Sequence, residues 1–208
     1  MQILVFASAL AITALSALLS LTLLASYKNK RRASTLFWGA GLALFAFGTL
    51  LEALFAAGIY TVFLAKLYLF VVAALVALLA LGSVQLVRSR HVKNAYYAFT
   101  AVSLAFVAYS LCVSGVGDIL VNYVVYAPLP SLVVIASSIA TFPAAIAIIV
   151  VAALSYRRTR SRKMLSIIAG VVIVSIAGTL YIAQFPAALY YAEAVGIALL
   201  WAGFYSRK

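Results

Sequence analysis

Three ionisable side chains stand inside long apolar stretches of this chain: Glu52, Lys66 and Glu193. The first two lie in LEALFAAGIYTVFLAK, residues 51–66, and Glu193 lies in a second apolar stretch near the C-terminus. A charged side chain at the centre of a membrane helix costs about 2.5–3.5 kcal/mol on insertion scales. Such side chains are therefore expected to face a protein interior or a watery cavity. There, carboxylates and an ammonium can bind ions, polar solutes or one another.

The spacing of these residues around two chain turns predicts a common depth. Glu52 precedes the turn at 58–59, Lys66 follows it, and each is roughly 10 Å from its helix end at about 1.5 Å per residue. Glu193 lies about as far beyond a second turn at 184–187. Equal depth favours an ion pair between Glu52 and Lys66. Glu193 is then either a second acid facing the same ammonium or a lone buried acid.

Three interpretations of this charged layer stay open. The side chains form a site for a small solute or ion, they relay protons, or they only hold helices together, with Lys66 extended toward lipid headgroups. Gln184 and Tyr181 are expected at the same level and complete the set of candidate ligands. Other tyrosines near this level fit an aromatic belt at the membrane interface. They are Tyr60, Tyr68, Tyr190 and Tyr191.

The composition requires a lipid environment for these residues. The chain of 208 residues is 68% hydrophobic and only 9% charged, and its mean hydropathy is +1.21. Soluble domains are about 45–50% apolar and about 25% charged. No soluble fold can hide this much apolar surface, so the sequence predicts an integral membrane protein.

Seven apolar stretches reach the roughly 20 residues that a helix needs to cross a bilayer. Their uninterrupted length favours helices over the short alternating strands of a membrane barrel. The sequence therefore predicts an all-α protein, a seven-helix transmembrane bundle forming one domain over residues 1–208. The predicted spans are 3–26, 34–57, 60–87, 95–113, 131–155, 164–184 and 187–205.

The basic residues predict the orientation of the bundle. Of the 15 Lys and Arg residues, all but Lys66 lie in the connections YKNKRR, RSRHVK and YRRTRSRK or in the C-terminal RK. The positive-inside rule then places the N-terminus outside and the C-terminus in the cytoplasm. The net charge of +12 favours anionic headgroups of the cell membrane as partner over nucleic acid. The predicted headgroup-binding residues are Lys28, Lys30, Arg31, Arg32, Arg88, Arg90, Lys93, Arg157, Arg158, Arg160, Arg162 and Lys163.

Other chemistries lack the residues that they need. His91 is the only histidine, and Cys112 is the only cysteine, which excludes an intrachain disulfide. Cys112 is expected to be buried as a small apolar residue. The sequence contains no metal-ligand cluster, P-loop or nucleophile motif. We therefore expect no cofactor, no metal and no enzymatic activity.

Several local patterns concern packing. Glycines in the second, sixth and seventh spans predict close helix contacts, and Pro143 predicts a kink in the fifth span. The connection at 115–130 is expected to pair as a short hairpin or to lie in the interface. LASY and ALSY, each followed by basic residues, precede Gly-Thr-Leu tripeptides at 48–50 and 178–180. This agrees with a 3+1+3 parallel repeat of the kind found in some transporters, although Ala- and Leu-rich spans also align by chance.

Three functions fit such a bundle. The favoured one is binding or transport of a small solute through an outer-leaflet polar cavity around Glu52, Lys66 and Glu193, with Lys66 essential. The second is a non-catalytic accessory subunit of a larger membrane complex, with copies of itself or other membrane subunits as neighbours. The third is a seven-helix sensor or receptor.

Overall fold

The computed structural model describes residues 2–117, 120–121, 124–125, 129–160, 165–166, 169–170, 173 and 186–205. Within these residues the chain forms six helices and one short β-hairpin. The helices are α1 (Gln2–Lys30), α2 (Ala33–Ala56), α3 (Val62–Val84), α4 (Arg90–Val113), α5 (Ser131–Thr159) and α6 (Pro186–Tyr205). The strands are β1 (Leu120–Val121) and β2 (Val124–Val125).

Six of the predicted spans coincide with these helices. The first five helices are long and apolar enough to cross a membrane, and α6 contributes a shorter apolar stretch, Tyr191–Gly203. The remaining predicted span, 164–184, lies almost entirely outside the described residues. The prediction of a helical membrane bundle is thus confirmed, and the count of seven stays a prediction.

Of the five long helices, α2 is the most deeply buried. Consecutive helices from α1 to α5 pack against one another, α3 also packs against α5, and α6 packs against α1. In α2, 67% of the most apolar stretch is buried, against 28% in α1, α4 and α5. The outer faces of these three helices expose large apolar side chains such as Leu18, Val102 and Phe142. Lipid tails would cover such faces.

The connections define two ends of the bundle. Because consecutive helices alternate in direction, the α1–α2 connection, the α3–α4 connection and the last turn of α5 lie at the same end, here called the basic end. The α2–α3 turn at 57–61 and the β-hairpin lie at the opposite end, here called the hairpin end. The described basic residues outside the α3 helix all lie toward the basic end.

The hairpin end is built from turn residues and a short strand pair. Gly58 has a φ of +86°, a conformation that suits glycine, and Thr61 accepts a hydrogen bond from the Leu64 N–H at 3.2 Å to begin α3. The strands pair antiparallel with Val121 opposite Val124, and β2 lies against α2. Of the two alternatives left open for this connection, the structure shows the short hairpin.

Glycine contacts bring the central helices close together. A Cβ atom added at Gly82 would lie 2.4 Å from Cδ1 of Trp38, and one at Gly41 would lie 2.9 Å from the Leu79 side chain. Gly39 is equally tight against Leu24, whereas Gly48 has ordinary contact distances. The predicted role of glycine in packing is confirmed at Gly39 and Gly41, and Gly178 lies outside the described residues.

Pro143 lies inside α5, which nevertheless runs without a break from Ser131 to Thr159. Proline has no N–H, so the carbonyl of Ile139 loses its helical hydrogen bond. The neighbouring Ala140 and Ala144 are buried in apolar clusters that include α3 residues. The described helix therefore accommodates the proline while its inner face stays packed.

Candidate buried carboxyl site

Glu52 lies in the interior of the bundle, near the hairpin end of α2. Only 3% of its surface is exposed. Its helical neighbours Thr49 and Phe55, three residues away on either side, are also buried and share its face. Phe55 belongs to the main apolar core with Leu51. Because Glu52 lies on the apolar face of α2, the packing that buries this face also buries the carboxyl group.

Tyr68 of α3 supplies the hydrogen bond to this carboxyl group. Its hydroxyl donates to Glu52 Oε1 at 2.6 Å, and its side chain is buried. The Tyr68 ring also packs edge-on against Phe55, with centroids 5.9 Å apart. The second oxygen, Glu52 Oε2, is buried without a hydrogen-bond partner.

Glu193 of α6 is the second buried acid. Its side chain is 8% exposed and its Oε2 atom is buried without a hydrogen-bond partner. Ile197, one turn further along α6, packs in one apolar cluster with Phe45, which lies two turns before Glu52 on α2. The helix is anchored one turn further on by Ile197 in the core, and by Trp201, whose Nε1–H donates to the Leu15 carbonyl of α1 at 3.0 Å. Two carboxyl groups from separate helices thus share one interior region, here called the buried carboxyl pair.

Lys66 does not join this pair, and the predicted Glu52–Lys66 ion pair was wrong for the described structure. The Glu52 carboxylate instead has Tyr68 on one oxygen and no partner on the other. Lys66 is half-buried. Residues two apart on a helix point about 200° apart, because each residue turns the helix by about 100°. With Tyr68 facing α2, the Lys66 side chain leaves α3 on the other side.

Hydroxyl groups extend the polar region from Glu52 toward α1. Thr13 Oγ1 and Thr49 Oγ1 are 2.8 Å apart, which makes a hydrogen bond between α1 and α2. Ser16, one turn further along α1, is fully buried and donates to the Ile12 carbonyl. Neither threonine was predicted from the sequence as part of the site. The spacing of Thr49 three residues before Glu52 was the available signal.

Several other predicted positions have a definite outcome. Gln184 and Tyr181 lie outside the described residues. Tyr68 was assigned to an aromatic belt but is an interior hydrogen-bond donor, whereas Tyr191 is 66% exposed, as a belt residue would be. Cys112 is exposed on α4 rather than buried, so that expectation was wrong. Its neighbours Tyr109 and Val113 are also exposed, which places it on an outward apolar face.

Most of the predicted headgroup-binding residues whose side chains the structure describes are exposed. Seven have exposed side chains: Lys28, Arg31, Arg32, Arg88, Arg90, Arg157 and Arg160. Lys93 is half-buried, the side chains of Lys30 and Arg158 are not described, and Arg162 and Lys163 lie outside the described residues. Headgroup binding itself stays a prediction.

The chemistry of the buried carboxyl pair is that of a cation acceptor. It offers two unpartnered carboxyl oxygens in an enclosed, apolar setting. Across the part of the chain that the structure describes, no group of three or more His, Cys, Asp or Glu side chains is placed to hold a metal ion. The two open carboxyl oxygens could instead bind a single positive charge, carried by a proton or by a small solute.

The long apolar helices and their packing define a polytopic helical membrane protein. No protein-family model, curated protein or solved structure matches the chain. The site must therefore be interpreted from its own geometry.

Proposed function

We propose that this is a seven-helix transport protein of the cell membrane that binds a small cationic solute at Glu52 and Glu193. The proposal keeps the N-terminus outside, the C-terminus in the cytoplasm, and anionic lipids around the basic end. It involves no enzymatic step. It differs from the expectation from sequence in one respect, since Lys66 is not part of the site.

The observation that carries the proposal is the pair of enclosed carboxyl groups, each with an oxygen that lacks a hydrogen-bond partner. Acids buried among membrane helices are costly, and they typically mark ion or substrate pathways. A buried acid with a purely structural role normally has hydrogen-bond partners for both carboxyl oxygens, because a buried polar atom without a partner destabilises the fold. The oxygens left open on Glu52 and Glu193 are what a cationic ligand would satisfy.

Solute entry requires a second conformation. Glu52 is 3% exposed and Glu193 is 8% exposed, so the described state keeps both carboxyl groups away from solvent. A transporter alternates between states in which the site opens to either side, and an occluded state is one step of that cycle. The hairpin end is the nearer opening for Glu52, which lies one turn before the last residue of α2.

A non-catalytic subunit of a larger assembly is the second candidate. The close contacts of Gly39, Gly41 and Gly82 favour it, because they indicate a tightly packed α1–α2–α3 unit with little room for movement. Such a subunit would retain its buried acids as part of a fixed interior, and it would transport no solute by itself.

The deciding experiment is uptake by the purified protein in liposomes made with anionic lipid. The probes are radiolabelled guanidinium, methylammonium and choline, with an uncharged sugar of similar size as the negative probe. We expect saturable uptake of at least one cation, and a loss of about tenfold or more in Glu52→Gln and Glu193→Gln. Lys66→Met is the matched control and should retain uptake.

Absence of uptake for all three cations in correctly folded, inserted protein contradicts the proposal. Co-purification of the same protein with stoichiometric partner chains would then support the accessory subunit. Uptake that is lost in Lys66→Met and retained in both glutamine variants would restore Lys66 as the centre of the site.

A further inference from the structure

We infer that the buried carboxyl pair holds one exchangeable proton, carried by Glu193, and that this proton competes with the cationic solute. The competition between proton and solute rests on the proposed function. The presence of a proton on Glu193 is independent of it. The inference comes from the placement of the two carboxyl groups and from the hydrogen bond that only one of them receives.

Charge balance limits the pair to one negative charge. Two carboxylates that share a low-dielectric site repel each other strongly, and each also loses its hydration. Across the described residues no basic side chain contacts either carboxyl group. A proton is therefore the counter-charge in the absence of solute. The same reasoning predicts that one arriving cation replaces one proton.

Hydrogen bonding assigns that proton to Glu193. Tyr68 donates to Glu52 Oε1 at 2.6 Å, which stabilises Glu52 in its ionised form. No described residue donates a hydrogen bond to Glu193, and its Oε2 atom is buried without a partner. The uncharged carboxylic acid is the less costly state for a buried acid without donors. When the solute binds, Glu193 releases its proton to water. The positive charge of the solute then replaces the positive charge of that proton.

Among the described residues packed around Glu193, no further carboxyl, imidazole or thiol group competes for this proton. On α1 the described polar groups near the level of Thr49 are the hydroxyls of Thr13 and Ser16, which do not titrate in this context. On α2 and α3 they are Glu52 and Tyr68, and no described contact joins Lys66 to either carboxyl group.

Two further elements pack near α6. The described positions between 165 and 173 contribute the hydroxyl of Ser166, which donates to the Leu199 carbonyl at 2.6 Å. Helix α5 carries no acidic or basic side chain before its last turns at the basic end. Among the described residues, the two carboxyl groups are therefore the sites that can hold this proton.

A proton fits this pair better than a divalent metal ion. Mg²⁺ requires six oxygen ligands and Ca²⁺ takes six to eight, from carboxylates, carbonyls and waters. The described site offers two open carboxyl oxygens, and the Tyr68 hydroxyl is already engaged.

The sequence makes the proton directly observable. The chain holds three acidic residues in total, of which Asp118 is the aspartate, so Glu52 and Glu193 are its only glutamates. Infrared spectra of protein with ¹³C-labelled glutamate carboxyl groups therefore report on this pair alone. Purified protein in liposomes at neutral pH, without added cation, should show one protonated and one ionised glutamate. Asp118→Asn should leave this spectrum unchanged.

The single variants test the assignment. Glu193→Gln should abolish the protonated band, and Glu52→Gln should retain it and lose the ionised band. A wild-type spectrum with both glutamates ionised or both protonated overturns the inference, and this result needs no variant to fold. A protonated Glu52 in folded Glu193→Gln overturns the assignment to Glu193.

A transport measurement separates this inference from the proposed function. Guanidinium influx into liposomes that contain a trapped pH indicator should be accompanied by proton efflux. If the spectra show one protonated glutamate but no cation is taken up, the bound proton is supported and only the transport proposal is overturned. Uptake with no proton movement would overturn the competition between proton and solute.

Discussion

The hydroxyl of Tyr68 donates to Glu52 Oε1 across the α2–α3 contact at 2.6 Å, in the interior of a bundle that is otherwise almost entirely apolar. The bond gives a buried acid one strong partner while its second oxygen stays open. It thus joins two helices and, at the same time, fixes the orientation of the Glu52 carboxyl group.

Tyr68→Phe should reduce the stability of the protein by about 1.5–3 kcal/mol, the range for a hydrogen bond to a charged group. The phenylalanine ring preserves the edge-on contact with Phe55, so the loss isolates the hydroxyl. Equilibrium unfolding in mixed detergent measures the difference. The control is a double-mutant cycle with Glu52→Gln, in which the two effects should be strongly non-additive. Simple additivity would mean that the bond contributes nothing to stability.

Gly82→Ala should destabilise the protein much more than Gly48→Ala. At Gly82 the new methyl group would lie 2.4 Å from Trp38 Cδ1, and it would displace an indole whose N–H donates to the Leu79 carbonyl at 3.2 Å. At Gly48 the nearest atom is 3.6 Å away, an ordinary contact. We expect a cost of about 1–3 kcal/mol for Gly82→Ala and little change for the control. Thermal unfolding followed by Trp fluorescence measures both. Equal effects would contradict the described α2–α3 contact.

Thr13→Val should weaken the α1–α2 contact modestly. Hydrogen bonds between membrane helices average about 0.6 kcal/mol and reach about 1.7 kcal/mol, and the Thr13–Thr49 bond is one of these. Thr22→Val is the matched control, because Thr22 is exposed on the same helix and bonds only to the Leu19 carbonyl in the structure. Equilibrium unfolding should separate the variants. If Thr22→Val is the more destabilised of the two, the described register of α1 on α2 is wrong.

Cysteine accessibility should place the two ends of the bundle on opposite sides of the membrane. Ile59→Cys, in the exposed turn at the hairpin end, should react with an impermeant maleimide on intact cells. Ser89→Cys, at the start of α4, should react only after permeabilisation. Both are made in a Cys112→Ser background, which removes the only native thiol. The reverse pattern would contradict the orientation predicted from the basic residues.

The sequence predicted the helices well because helix length and hydropathy are local properties. The predicted spans 34–57 and 131–155 correspond to α2 at Ala33–Ala56 and α5 at Ser131–Thr159. The short hairpin was also foreseen, from β-branched and aromatic residues in the loop.

The partner of Glu52 was not predicted correctly, for a physical reason. Counting residues from a turn gives the depth of a side chain in the membrane, and Glu52, Lys66 and Tyr68 differ little in depth. It does not give the direction in which a helix presents that side chain. Direction depends on how α2 and α3 are rotated against each other, which is set by contacts such as Trp38 on Gly82. With 68% hydrophobic residues, the apolar pattern distinguishes lipid-facing from interior positions poorly.

Pro143 gives α5 a pivot that the other described helices lack. The carbonyl of Ile139 already has no amide to bond, so bending at this point breaks fewer hydrogen bonds than bending elsewhere along α5. The segment from Ser131 to Phe142 leads from the hairpin end, and the segment after Ala144 leads to the basic end. A rocking movement of the first segment, with the second held still, would loosen the hairpin end while leaving the positively charged face undisturbed.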